Sequence, residues 1–135
     1  MQQLKQLKKA MDIHSEEYLA ACREALSREQ TQSLAETQQW AHVDKPKVHG
    51  DWDVLYKKLT PLMQRHAPSS PTIQAVMAEH YEIVSRFFRP SKQAYIGMSL
   101  YYGENPDMKA FHDAYDPGMV PFLAQAMSIY AHGNL

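Results

Sequence analysis

The chain has 135 residues, of which 44% are hydrophobic and 21% charged, with a net charge of −1, the size and composition of one globular domain built round a single core. The largest basic cluster, Lys5, Lys8 and Lys9, is too small to hold a duplex, so direct contact with nucleic acid is not expected. One cysteine, Cys22, permits no disulfide within the chain; no apolar run approaches the ~20 residues of a membrane span, and without an apolar signal segment at the start a cytoplasmic location is the default.

Apolar residues recur at helical spacing throughout, and no alternating run reads as a strand. Leu4, Leu7 and Met11 form a thin stripe. Asp12 or Ser15 can cap a helix whose apolar face is Tyr18, Leu19, Cys22 and Leu26. That face fades from Ser27 to Gln39, where Leu34 is the one large apolar residue, and His42 to Gly50, with Pro46, reads as a loop. Only Tyr18 and Trp40 among the aromatics lie in the first fifty residues. Because aromatics supply much of a core's buried area, the chain divides into a weakly anchored helical lid or linker at 1–50 and a stable core at 51–135.

Within the core, Asp51 is expected to cap a helix with the stripe Trp52, Leu55, Leu59, Leu62 and His66, broken near Thr60 by Pro61. Ser70 caps the next helix and Pro71 takes its first position. Its apolar face is Ile73, Val76, Met77, His80, Val84, Phe87 and Phe88; Glu82 and Arg86, four apart on the other face, can pair. Pro90 ends it and Ser91 caps a helix through Tyr102 that is apolar on most sides and therefore central. Gly97 within that helix costs about 1 kcal/mol against alanine, and close approach of a neighbouring helix or a ligand would explain it. Gly103 stops the helix. Asn105-Pro106 opens another with Met108, Phe111 and Tyr115 inward, and Asp116-Pro117 opens the last, with Val120, Leu123, Met127 and Tyr130 inward, which His132-Gly133 ends.

The ordered series Glu79-His80 to Arg86-Phe87-Phe88, Pro90-Ser91, Gly97-Met98, Tyr101, Phe111 to Tyr115-Asp116, Pro117-Gly118 and Phe122-Leu123, with Asp51-Trp52 upstream, resembles the TipAS domain, the drug-sensing part of MerR-type transcription regulators. The resemblance covers residues ~50–130, about one domain. It implies an all-α, globin-like fold of five to seven helices with a surface cleft, a ligand among hydrophobic small molecules and peptide antibiotics such as thiopeptides, and N-terminal helices that order over the bound drug. It also implies a DNA-binding domain and a dimerising helix ahead of this region. The 135 residues contain no such DNA-binding segment, so the chain is expected to be a regulator's effector half or a stand-alone sequestering protein, with homodimerisation through the first helix as a further expectation. Thiopeptide-binding members can carry a reactive cysteine between the helix-ending proline and the following serine. Here Pro90 is followed directly by Ser91, and Cys22 does not inherit that role.

A pocket for a bulky apolar guest needs aromatic and adaptable side chains round a concavity. The candidates for ligand contact are Trp52, Tyr56, His80, Val84, Phe87, Phe88, Tyr95, Met98, Tyr101 and Phe111. Each taken singly reads more readily as ordinary core; the claim rests on the set. His80, on an apolar stripe, is either a ligand-orienting group or a satisfied core histidine. The seven histidines include no pair four apart, and there is no cysteine pair, so no metal, haem or other cofactor is expected. No glycine-flanked serine elbow is present, and Asp51 and Asp53 read as helix-start residues, so no enzymatic activity is expected. The alternative to ligand sensing is a helical protein-interaction or dimerisation module that docks a partner helix on the Tyr18–Leu26 face.

Overall fold

The computed structural model describes residues 15–135. The Leu4, Leu7, Met11 stripe, and with it the expected dimerising helix, lies outside the described residues. Those residues form six helices and no strand: α1 Glu16–Glu36, α2 Lys45–Met63, α3 Pro71–Val84, α4 Lys92–Glu104, α5 Pro106–Asp113 and α6 Met119–Asn134. The all-α expectation of five to seven helices is met.

Local chemistry sets most boundaries. Ser15, Asp44, Ser70, Ser91 and Asn105 each accept a backbone N–H three residues on, which satisfies one donor that a helix start leaves open. Asp44 rather than Asp51 is the cap of α2, and Pro46 fills an early position where a missing N–H costs nothing. The stretch 45–50, expected as loop, is therefore the first turn and a half of a helix. Pro61 does not break α2 at Thr60, because it sits only two residues before the end at Met63. Helix α3 stops at Val84, so Phe87 and Phe88 lie in the turn beyond it, and α4 passes through Gly103 to Glu104. The last helix starts at Met119, with Gly118 at its cap and no side-chain bond there, and runs through Gly133 to Asn134. Arg86 pairs with Asp51 rather than Glu82, which ties the end of α3 to α2.

Helix α4 is the hub, packed against α1, α5 and α6. Its Ala94, Tyr95, Ile96, Met98 and Tyr102 are all buried. Gly97 lets α1 approach so closely that a Cβ there would lie 2.2 Å from the Cys22 carbonyl oxygen. The Tyr18–Leu26 face offered above to a partner helix is covered by α4 of the same chain, with Cys22, Ala25 and Leu26 all buried. Beyond Leu26, Ser33 is the one buried residue of α1, and the next is Val48 in α2. Among described residues 15–50, burial is thus concentrated in the first half of α1, where apolar side chains meet α4.

Candidate functional site

Residues from five helices and the turns beside them bound one apolar hollow of about 250 Å³. Its fourteen lining residues are Gln30 from α1, Trp40 from the turn, His49, Trp52 and Tyr56 from α2, Val84, Phe87 and Phe88 from the end of α3, Met98, Tyr101 and Tyr102 from α4, and Met108, Phe111 and His112 from α5. No Asp, Glu, Lys or Arg is among them. Such a wall is apolar and offers no partner to a charge, and a buried charge without a partner is costly. Tyr101 and Phe111 stand at the rim, 42% and 39% exposed, apolar rings left for a guest to cover.

The roof is Trp40, and its backbone is unusual. Gln38, Gln39 and Trp40 all have positive φ, at 53°, 62° and 60°, a left-handed run that non-glycine residues avoid because Cβ crowds the following carbonyl. Local bonds hold it. The Thr37 hydroxyl donates to the Ser33 carbonyl at 2.7 Å and accepts from the Trp40 N–H at 3.0 Å. The indole Nε1–H donates to Ser33 Oγ at 2.9 Å. The indole meets Phe87 edge-on at 5.0 Å and lies parallel to Phe88 at 6.4 Å, contacts typical of aromatic pairs. His42 adds a tie through Nε2 to the Arg86 carbonyl at 2.9 Å.

Behind one wall lies a buried polar cluster. His112 Nδ1–H donates to the Met108 carbonyl at 2.7 Å. That fixes the tautomer, so Nε2 carries the lone pair and accepts from the Tyr56 hydroxyl at 2.9 Å. The Tyr95 hydroxyl stands 2.7 Å from His80 Nδ1. With Tyr95 donating there, His80 Nε2–H points between the oxygens of Tyr56 and Tyr102 at 3.4 and 3.5 Å. Burial, reinforced by the nearby His112, lowers the His80 pKa to about 3, and burial lowers that of His112. Both rings are neutral at pH 7. Burial also pushes Tyr102 and Tyr56 upward, so the hydroxyls keep their protons. Among the described residues no buried side-chain polar atom lacks a partner, as a polar cluster in a core requires.

Eight of the ten residues singled out from sequence come together on the hollow: Trp52, Tyr56, Val84, Phe87, Phe88, Met98, Tyr101 and Phe111. His80 and Tyr95 do not line it; both are fully buried and satisfied by each other. Six lining residues escaped the sequence reading: Gln30, Trp40, His49, Tyr102, Met108 and His112. Helix α5 turns His112 inward and leaves Phe111 at the rim, the reverse of the expected inward Phe111. Cys22 does not line this wall; it is buried where α1 meets α4, and burial pushes its thiol upward, away from the reactive thiolate. Ser91, beside the position of the missing cysteine, is occupied: its N–H and hydroxyl both donate to the Glu29 carboxylate. Among the described residues no group of three or more His, Cys, Asp or Glu is gathered as for a metal, and no helix is long and apolar enough to cross a membrane.

Comparison with known proteins agrees with this geometry. The TipAS antibiotic-recognition domain matches residues 15–130. The HTH-type transcriptional regulator SkgA of Caulobacter vibrioides, from strains NA1000 / CB15N and ATCC 19089 / CIP 103742 / CB 15, is 24% identical over 98 residues. That alignment covers 70% of this chain and 38% of the regulator. No solved structure matches the chain. With the family match spanning nearly all the described residues, the chain belongs to the TipAS antibiotic-recognition domain family.

Proposed function

We propose that this domain recognises an apolar, largely aromatic small molecule or peptide antibiotic in the hollow and acts as the sensing half of a transcription regulator. The observation that carries this is the uncharged aromatic lining gathered from five helices and a turn, with Tyr101 and Phe111 exposed at its mouth. The family match supports the ligand class, and the similarity to a regulator supports the output. In a chain attached to a DNA-binding partner domain, ligand binding would shift the population of one arrangement over another, which requires only that the ligand favour one of them.

Within the expected 1–50 lid, we assign the moving part to residues 27–44. This stretch contributes Gln30 and Trp40 to the hollow yet buries only Ser33, and segments with few buried apolar contacts open at low cost. A ligand that touches Trp40 is expected to slow backbone exchange there.

The test is a fluorescence titration with dansyl amide, a neutral two-ring aromatic, on the wild type and on Phe111→Glu. Saturable binding that weakens about tenfold or more in the variant supports the proposal, because a rim charge must be desolvated when the guest enters. Equal binding to both proteins, or none to either, contradicts it.

A further inference from the structure

A second hollow of about 290 Å³ lies along the seam of α1 and α4. It is more polar than the first, though apolar surface still makes up most of its lining. Arg23, Ser27, Gln30, Thr31 and Glu104 give it polar walls, and Leu26, Leu34 and Gly97 complete it. The two hollows adjoin. Gln30 and Tyr101 line both, so these two side chains stand between the apolar hollow and the second groove. Tyr101 is 42% exposed at that junction, a large ring uncovered where a molecule passing from one hollow to the other would lie on it.

The groove has no net charge to offer. Arg23 and Glu104 bind each other through two nitrogens, Nε at 2.9 and 3.1 Å and a terminal nitrogen at 2.7 Å, a forked pairing that satisfies the guanidinium edge and both carboxylate oxygens. The polar groups that remain along the wall, beside Leu26, Leu34 and Tyr101, are hydroxyl and carboxamide, from Ser27, Thr31 and Gln30. These groups donate and accept, so they suit a segment that does both, as a chain of amide groups does.

We propose that the hollow and the groove form one binding channel, and that its ligand is bipartite: an uncharged aromatic head seated among Trp52, Phe88 and Phe111, and an uncharged amide-bearing tail that crosses Tyr101 and lies along Ser27 and Thr31. This rests on the reading of the hollow as a ligand site and adds to it the tail subsite and its chemistry. It also accounts for an aromatic-poor, Ser/Thr/Gln-rich second half of α1: that face is polar because it contacts the tail.

The experiment compares two probes, dansyl amide for the head alone and dansyl-glycyl-glycinamide for head plus tail, each titrated against the wild type and Thr31→Trp. Thr31 is exposed and lines the groove but not the apolar hollow, so an indole there fills the groove while Trp52, Phe88 and Phe111 stay free for the head; a thermal melt confirms that the variant is folded. The tail is expected to tighten wild-type binding about tenfold, the equivalent of one or two net hydrogen bonds, and Thr31→Trp is expected to abolish that gain while leaving dansyl amide unchanged. Binding of both probes to the wild type with equal affinity overturns the bipartite channel and leaves the head site standing. A tail advantage that survives Thr31→Trp places the tail elsewhere and also overturns it. Failure of both probes to bind removes the head site as well.

Discussion

The Cα of Gly97 faces the backbone of Cys22 so closely that a methyl group on it would stand 2.2 Å from the Cys22 carbonyl oxygen and 3.1 Å from Leu26 Cβ. Two effects oppose each other at this position. Alanine is the better helix former by about 1 kcal/mol, but a carbonyl oxygen of a packed helix cannot yield as a flexible side chain can. Overpacking of this kind costs about 1–3 kcal/mol or more, so it wins. Gly97→Ala is expected to be destabilising by roughly 2 kcal/mol, read by urea denaturation. A neutral or stabilising result would mean that α1 does not lie on α4 as described.

The left-handed run at Gln38, Gln39 and Trp40 gives a substitution with the opposite sign. Gln39 is exposed and sits at φ 62°, a conformation glycine adopts without Cβ crowding. Gln39→Gly is expected to raise stability by about 0.5–1 kcal/mol, since relief of left-handed strain exceeds the extra entropy of a glycine in the unfolded chain. Thermal unfolding reads this as a rise in Tm of a few degrees at most; a fall would show that the turn is not left-handed at that residue.

Acid weakens the core through its histidines. An unfolded histidine titrates near 6.5, whereas folded His80 titrates near 3 and folded His112 is lowered too. Between the unfolded and folded values the unfolded chain binds more protons, so stability is complete above about pH 6.5 and falls as pH drops toward 3, by up to about 1.4 kcal/mol per pH unit for each such histidine. His80→Phe is expected to lose about 1–3 kcal/mol at pH 8, because the Tyr95 hydroxyl loses its partner, and to show a shallower decline from pH 7 to pH 5 than the wild type. Parallel profiles for the two proteins would show that His80 is not buried in its neutral form.

Trp40 is the one aromatic of the hollow that comes from residues 27–44. Trp40→Ala removes its edge contact with Phe87 and its indole bond to Ser33. Stability is expected to fall by only about 1–2 kcal/mol, the scale of one aromatic pair and one net hydrogen bond, while backbone exchange speeds up across residues 27–44 and not in α4. Uniform acceleration along the chain in hydrogen-exchange mass spectrometry would contradict a locally opening roof.

Much of this was readable in the sequence where one chemical rule acts alone. Ser70-Pro71 and Ser91 mark true helix starts because a hydroxyl before a helical run has one obvious use. The apolar saturation round Tyr95 and Ile96 marks α4 as the hub for the same reason. Legibility failed where two readings share one pattern. Asp44 and Asp51 are both plausible caps, and with Pro46 and Gly50 between them the turns before Asp51 look like loop, which hid His49. Trp40 stood in a polar stretch with no periodicity, and its placement over the hollow depends on three left-handed residues that no periodicity in the sequence marks. His80 lies on an apolar stripe and His112 stands out by no pattern, yet packing puts the first wholly inside the core and the second on the wall.

The methionines give the most direct measurement of whether the hollow is the ligand site. Met98 and Met108 line it, whereas Met77, Met119 and Met127 are fully buried elsewhere in the core. In methyl-labelled protein titrated with dansyl amide, the Met98 and Met108 resonances are expected to shift saturably, because ring currents reach only neighbouring methyl groups, while Met77, Met119 and Met127 stay in place. Shifts centred on Met77, Met119 or Met127, or no saturable shift at Met98 and Met108, would contradict a ligand seated among Trp52, Phe88 and Phe111.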